Sequence, residues 1–367
     1  MKNILIICKD IYPIQNPRSF RAAELVKEFS RRGFIVKVVC CLSEENFKLF
    51  RKEFSKVEAV NLGLPSNVLD RNIFKKMIFL KRILNKYLYH FLQYPNIGIL
   101  FKVRRFLKNN NKKIDLMITI AYPFPIHWGA AIAKKSKNIN FPDKWIADCG
   151  DPFMGNPIIN PPFYFSGVER LFCSMADKIT IPVEIARRAY YKKFHEKIEI
   201  IPQGFDFSII EKGHYVKNSI PTFLYAGIFY KGSRDPRPLL DYLAQIESDF
   251  IFIIYTSEDY LISKYKKIFG NKLVINSSIP RIELLKKMSN VDFLLNIEND
   301  SENQTPSKLI DYSLSGRPIL SLNMKKIDSE KVDNFLNGIY LNEFKVDDIQ
   351  KYNIVNVTDK FIAISEC

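Results

Sequence analysis

Residues 3–42 read NILIICKDIYPIQNPRSFRAAELVKEFSRRGFIVKVVCCL, and the hydrophobic period changes twice within them. Asn3–Cys8 is an unbroken apolar run, the mark of a strand buried on both faces. After the polar loop Lys9–Asn16, residues Ala22, Leu25, Val26 and Phe29 recur at helical spacing between about Pro17 and Arg32. Gly33 stops that helix, and Phe34–Leu42 is apolar again. Strand, amphipathic helix, strand is the repeating unit of a parallel sheet covered by helices.

Farther along the chain, Leu116–Ile120, Lys144–Ala147 and Lys178–Ile181 extend the strand series, with helical stretches between them. The pattern restarts after Pro202-Gln203-Gly204. There Phe223–Ala226, Phe250–Tyr255, Leu273–Ile275 and Phe293–Asn296 read as strands, and Pro236–Gln245, Arg281–Ser289 and Pro306–Ser315 as helices. The expected fold is α/β, two Rossmann-like domains facing a cleft: residues 1–202, residues 203–345, and a tail, 346–367, that has no obvious landmarks and whose return to the first domain the sequence leaves open.

Length and composition agree with this. The chain has 367 residues, 47% apolar and 26% charged, which suits about two globular domains and excludes a fibrous or disordered chain. The six cysteines (8, 40, 41, 149, 173, 367) contain no CxxC, so neither a zinc ribbon nor a disulfide framework is implied. The first ten residues lack the length and cleavage site of a signal peptide, and no run approaches the ~20 apolar residues of a membrane span. The expectation is a cytoplasmic protein, peripheral on the inner face of the cell membrane.

Lys and Arg number 55 against 39 Asp and Glu, a net +16 that favours anionic partners. From Arg71 to Lys113 there are twelve Lys or Arg and no acid, interleaved with Phe, Ile, Leu and Tyr. This segment reads as a basic insertion in the first domain. It either packs an apolar face and leaves its lysines solvated, or lies on an anionic membrane surface. No RRM, KH or zinc-finger signature accompanies it, so nucleic acid is not an expected partner.

GxGxxG, GxxxxGK[ST], GxSxG and DxD are all absent, and the four histidines (90, 127, 195, 214) lack metal-ligand spacing. Neither a resident cofactor nor a metal site is expected. The strongest positive signal is Gln304-Thr305-Pro306-Ser307-Lys308-Leu309-Ile310-Asp311-Tyr312, running to Ser315-Gly316-Arg317-Pro318. Thr305 before Pro306 is a natural cap, and a helix N-terminus with Ser307 and Lys308 attracts a diphosphate; Asp311, one turn on, suits ribose hydroxyls. Next, Tyr225-Ala226-Gly227 ends a strand, where glycine admits a ligand to the backbone and Arg234 offers a bidentate fork. Third, Asn16-Pro17-Arg18-Ser19-Phe20-Arg21 opens the first helix with two guanidinium groups. Each of these has a plain alternative: a solvated cap, a turn with one exposed arginine, or an arginine paired with Glu24.

Taken in order, these residues resemble bacterial GT-B glycosyltransferases of the family 4 type. The resemblance rests on Asn16-Pro17-Arg18-Ser19-x-Arg21, Pro123-x-Pro125-x-His127, Trp145-Ile146-Ala147-Asp148-x-x-Asp151-Pro152-Phe153, Ala176-Asp177-Lys178-Ile179-Thr180 and Ile200-Ile201-Pro202-Gln203-Gly204-Phe205-Asp206. In the second domain Tyr225-Ala226-Gly227-x-Phe229-Tyr230 and the Pro306-Ser307-Lys308 helix with Gly316-Arg317-Pro318 complete it, so that it spans about residues 3 to 322. It implies donor binding by Gly227, Arg234, Thr305, Ser307, Lys308 and Asp311, acceptor binding near Arg18 and Arg21, and catalytic roles for His127 and Asp151. It also implies retaining, metal-independent transfer from a nucleotide-diphosphate sugar to a saccharide or lipid-linked acceptor in capsule or lipopolysaccharide-type polysaccharide assembly. One departure stands out: of the family's two glutamates eight positions apart, the second falls on Asp311 and the first on Asn303, with Glu298 and Glu302 out of register. The alternative is a non-catalytic nucleotide-sugar-binding or membrane scaffold protein.

Overall fold

The computed structural model describes residues 2–66, 78–136, 140–156, 159–208, 215–232, 234–298 and 307–366. The chain forms two compact units, residues 1–205 with 351–367 and residues 206–350.

Unit 1 is built on β1 (Asn3–Cys8), α1 (Pro17–Arg31), β2 (Ile35–Cys40), α2 (Glu44–Glu53), β3 (Glu58–Asn61), α3 (Ile78–Leu92), α4 (Ile97–Lys108), β4 (Leu116–Ala121), α5 (Pro125–Lys135), β5 (Lys144–Cys149), α6 (Phe165–Met175), β6 (Lys178–Ile181) and β7 (Ile198–Ile200). All seven strands are parallel, in the order β3-β2-β1-β4-β5-β6-β7. The chain reverses its direction of sheet growth between β1 and β4, and in such sheets ligands bind beyond the carboxyl ends of the strands at that switch point. Strand side chains alternate between two cores. Leu5, Ile7, Met117 and Trp145 face α4, α5 and α6, while Ile4, Ile6, Ile118 and Ile146 face α1.

The opening of α1 follows from its sequence. The Asn16 side chain accepts from the Ser19 amide at 2.8 Å, and Pro17 occupies the first turn, where a missing N–H costs nothing. Near the end of the chain, α12 (Ile354–Glu366) packs back on α1. Its Val357 and Phe361 are fully buried among Ile4, Ala22, Leu25 and Phe29, and Arg32 binds Asp359 and the Val355 carbonyl. Gly204 makes this crossing feasible, since a Cβ there would lie 2.6 Å from Ile354 Cδ1.

Within 71–113, α4 packs its apolar face on the rest of unit 1, one of the two arrangements open to the basic stretch. α4 lies on the path from β3 to β4 and is integral to the core: Ile99, Leu100, Val103 and Leu107 are buried against α5. Gly129 permits the contact, because a Cβ there would stand 2.6 Å from the Leu100 carbonyl oxygen. Arg71, Lys75 and Lys76 lie outside the described residues.

Unit 2 carries β8 (Thr222–Ala226), α7 (Arg237–Leu243), β9 (Ile251–Tyr255), α8 (Lys266–Phe269), β10 (Leu273–Asn276), α9 (Arg281–Ser289), β11 (Phe293–Ile297), α10 (Ser307–Leu314), β12 (Ile319–Leu322) and α11 (Ser329–Leu336). Its five parallel strands run β10-β9-β8-β11-β12, with the switch point between β8 and β11. Phe223 stacks on Phe252 and Phe293 across three neighbouring strands at centroid distances of 4.3 and 4.8 Å.

Three strands escape the sequence reading: β3, β7 and β12. β3 and β7 are short and carry Glu58 or Glu199 among few apolar residues, and β12 follows directly on the Gly316-Arg317-Pro318 turn. No helix among the described residues is long and apolar enough to cross a membrane.

Candidate functional site

In unit 2 the site grows from the end of β8. Gly227 has φ +144°, a backbone conformation that side-chain-bearing residues rarely adopt, and it exposes the backbone at the β8–β11 switch point. The strand places Tyr225 in the core, stacked on Phe229 at 4.5 Å, with its hydroxyl bonded to the Arg234 guanidinium. Tyr312 on α10 pins that helix to the same strand by accepting from the Ala226 amide at 2.9 Å.

One turn before Tyr312, the Lys308 stem is half-buried and its ammonium fully so, 4.7 Å over the Tyr225 ring. Neither Lys308 Nζ nor Arg234 Nε has a hydrogen-bond partner among the described residues. Burial first, then the Arg234 charge, lower the Lys308 ammonium from 10.5 to about 7. Two cations thus face one position with no carboxylate acting on the lysine. Buried charges are ordinarily paired, so among the described residues the arrangement lacks an anion.

Asp311, one turn after Lys308 on α10, is already engaged, accepting from Arg281 Nε at 3.0 Å and Nη2 at 2.6 Å. Thr305, the Ser307 side chain, Glu302 and Asn303 lie outside the described residues. A cavity of about 180 Å³ in unit 2 is lined by Gly232, Asp235, Glu298 and Asn323 among others. Glu298 follows β11 and accepts from Ser321 Oγ at 3.0 Å, so a carboxylate does stand at this strand's end, out of register with the family's glutamate.

In unit 1, Arg21 is corrected from acceptor ligand to structural anchor. It is 2% exposed, donates to both Asp148 oxygens at 3.2 and 2.9 Å, and binds the carbonyls of Ile201 and Pro202. Burial alone would raise the Asp148 carboxyl, but Arg21, Arg18 and Thr180 outweigh it and hold it below the usual carboxylate range. Nε and both Nη atoms of Arg21 donate within the protein, and at 2% exposure its guanidinium is closed off from solvent.

His127 is likewise corrected from catalytic residue to core residue. It is 0% exposed, with Nδ1 2.8 Å from Thr119 Oγ1 and Nε2 3.4 Å from Cys149 Sγ. A neutral imidazole has one donor and one acceptor, and both are used here. Burial pushes its pKa down to about 3. The helix α5 that carries it is buried around most of its circumference, because Gly129, Ala130, Ala131 and Ala133 let its neighbours close in.

Arg18 and Asp151 remain at the carboxyl ends of β1 and β5. Arg18 is half-buried, 3.7 Å from Asp148, and lies so flat on Gly150 that a Cβ there would come within 2.6 Å of its guanidinium carbon. Burial lowers its pKa, and Asp148 and Asp151 oppose that shift. Asp151 is exposed in the loop after β5.

A residue that sequence reasoning missed is Glu169 on α6, which looks like part of a solvated helical face. Instead it is fully buried and accepts from the Met154 amide at 3.0 Å, tying down the loop that carries Asp151. Burial raises its carboxyl to about 7. Only the position of Glu169 three residues before Phe172, within an amphipathic helix, hinted that it faced inward.

Among the described residues, no group of three His, Cys, Asp or Glu could hold a metal ion. No protein-family model matches the sequence, and no curated protein matches it. Solved structures do share its architecture. A glycosyltransferase from Rickettsia africae ESF-5 aligns with TM-score 0.65 at 12% identity, over 100% of this chain and 98% of the other. The apo form of the lipopolysaccharide outer core galactosyltransferase WaaB gives 0.61 at 14%, over 99% and 98%. Anabaena HepE in complex with UDP and glucose gives 0.58 at 11%, over all of both chains. At these identities the likeness concerns the fold, and the fold is GT-B, as the motif order suggests.

Proposed function

We propose that the chain is a glycosyltransferase, moving a sugar from a nucleotide-diphosphate donor to a saccharide or lipid-linked acceptor in cell-surface polysaccharide assembly. The observation that carries this is the pair Arg234–Lys308 at the carboxyl edge of the unit 2 sheet, whose Nε and Nζ find no hydrogen-bond partner among the described residues. A diphosphate supplies the missing anion. As the sugar–phosphate bond breaks, negative charge grows on the departing diphosphate, and cations fixed in a water-poor site stabilise that charge without reorganising. Gly227 leaves room for the donor against the backbone, and Lys308 lies in the first turn of α10, where the helix dipole also favours an anion. Asp311 is the candidate for the ribose hydroxyls, with Arg281 orienting it. Glu298 and Asp235 border a cavity suited to sugar hydroxyls. In unit 1, Arg18 and Asp151 are the candidate acceptor and catalytic contacts. HepE, of the same fold, binds UDP and glucose, which supports a nucleotide-sugar donor here.

The transfer is proposed to be retaining and independent of divalent metal, with Arg234 and Lys308 in the place of the ion. A screen of nucleotide sugars for donor hydrolysis and transfer tests it: turnover should persist in excess EDTA and fall at least tenfold in Arg234→Ala, since a charge-assisted hydrogen bond is worth about 1.5–3 kcal/mol. Binding of donor without any turnover across the panel would favour a scaffold protein instead. Turnover lost in EDTA and restored by Mg²⁺ or Mn²⁺ would refute the cation-only mechanism.

A further inference from the structure

The net charge is divided very unequally. Residues 1–205 and 351–367 hold 37 Lys and Arg against 19 Asp and Glu, whereas residues 206–350 hold 18 against 20. The whole positive excess therefore belongs to unit 1.

Within unit 1, α3 has an unusual surface. An ordinary surface helix buries its apolar stripe. Leu84 and Leu88 are half-buried, as expected, but a second apolar row, Ile83, Tyr87 and Phe91 at i, i+4 and i+8, is exposed, Tyr87 to 59%. Beside it runs a cationic row, Arg82 and Lys86, one residue earlier at each turn, and no acid occurs from residue 71 to 113. The chain reaches the same place from far away: the Tyr164 hydroxyl donates to the Phe91 carbonyl, and Phe163 next to it is 83% exposed. Leu92, half-exposed, completes a continuous patch.

We propose that this patch, Ile83, Tyr87, Phe91, Leu92, Phe163 and Tyr164 with Arg82 and Lys86 at its rim, docks unit 1 on an anionic lipid bilayer. Protein interfaces are depleted of lysine and carry both signs of charge for register, while the charged residues of α3 itself, Lys81, Arg82 and Lys86, are all cations. Aromatic side chains with an apolar body and a polar tip settle at the headgroup level, and adjacent cations meet the lipid phosphates. The patch differs from the amphipathic pattern legible in the sequence, because the outward residues are 83, 87 and 91, and residues 163 and 164 are about 70 positions downstream. The docking patch belongs to unit 1 and the donor site to unit 2. It extends the proposed function by naming the surface at which a lipid-linked acceptor is met.

Co-sedimentation of the full chain with vesicles tests it. The protein should pellet with phosphatidylglycerol-containing vesicles and stay in solution with pure phosphatidylcholine. Binding should fall as salt rises, because the surface field is screened within about 10 Å at 0.1 M. Arg82→Gln with Lys86→Gln should lower partitioning about 25-fold, at about fivefold per cation, and Tyr87→Ser with Phe163→Ser tenfold or more. Both double variants should keep the wild-type Tm and UDP affinity, since the residues are exposed and outside unit 2. Equal binding to neutral vesicles, binding to neither, wild-type binding by both variants, or loss in the variants of a self-associated dimer instead of vesicle binding would overturn the proposal. Vesicle binding that persists in a protein with no affinity for any nucleoside diphosphate would leave the docking standing and defeat the donor reading alone.

Discussion

Titration of Lys308 links the donor site to a measurable proton. In the unfolded chain this ammonium loses its proton near 10.5; in the folded, ligand-free protein it does so near 7. Between those values the unfolded chain binds more protons, so the stability of the free protein rises with pH through that window, and at pH 7 the buried cation costs on the order of 4 kcal/mol. A bound diphosphate removes the cause by pairing the charge. Binding a nucleoside diphosphate at pH 8 should then take up about 0.9 proton, against about 0.1 at pH 6, and affinity should weaken by up to about tenfold per pH unit above 7. Calorimetry in two buffers of different ionisation enthalpy reads the uptake directly. Lys308→Met should abolish it and weaken binding at least tenfold, yet raise the Tm of the free protein by several degrees, the pattern of a residue kept for function at a cost in stability. Proton uptake near zero at pH 8, together with a methionine variant no more stable than wild type, would refute a buried, anion-seeking lysine.

Arg21→Met should destabilise the protein by about 3–5 kcal/mol, because it strands Asp148 in the core; Arg21→Met with Asp148→Asn should recover part of that, and denaturant unfolding of the three proteins measures both. Glu169 has the opposite linkage to Lys308: its folded carboxyl titrates near 7 against 4.5 in the unfolded chain, so its contribution is full below pH 4.5 and fades as pH rises through 7. Glu169→Gln should therefore flatten the pH dependence of stability between 4.5 and 7 by roughly 3 kcal/mol, and a variant whose profile matches wild type would show that Glu169 does not carry it.

The parts of the fold legible in the sequence are those whose cause is local. β1, α1 and β2 announce themselves because a doubly covered strand is apolar throughout and Asn16-Pro17 caps the helix between them. The Lys308 helix shows through Thr305-Pro306 and Gly316 for the same reason. The features that stayed hidden depend on distant partners. Arg21 looks like a ligand for an anion until Asp148, 127 residues later, takes its guanidinium. Asp311 looks free until Arg281, 30 residues earlier, meets it. His127 occupies a position that the family resemblance makes catalytic, but the small residues of α5 draw the helix so deep that the imidazole is closed off. The half-buried Lys308 stem gave no sign in the sequence that its charge would end without a partner.

The return of α12 to α1 also bears on how the protein is made. Unit 2 is one uninterrupted stretch, whereas unit 1 is completed by a helix translated about 150 residues after β7. At roughly 5–20 residues per second, the roughly 330 residues between α1 and Phe361 leave α1 and its neighbours waiting on the order of 15–65 s for Val357 and Phe361. Through that interval the apolar groove beside Ile4, Ala22 and Phe29 is open to water and to other nascent chains. The later unit therefore has time to fold while the earlier one is still unfinished, and the N-terminal half is the part of this chain most in need of a chaperone's protection during synthesis.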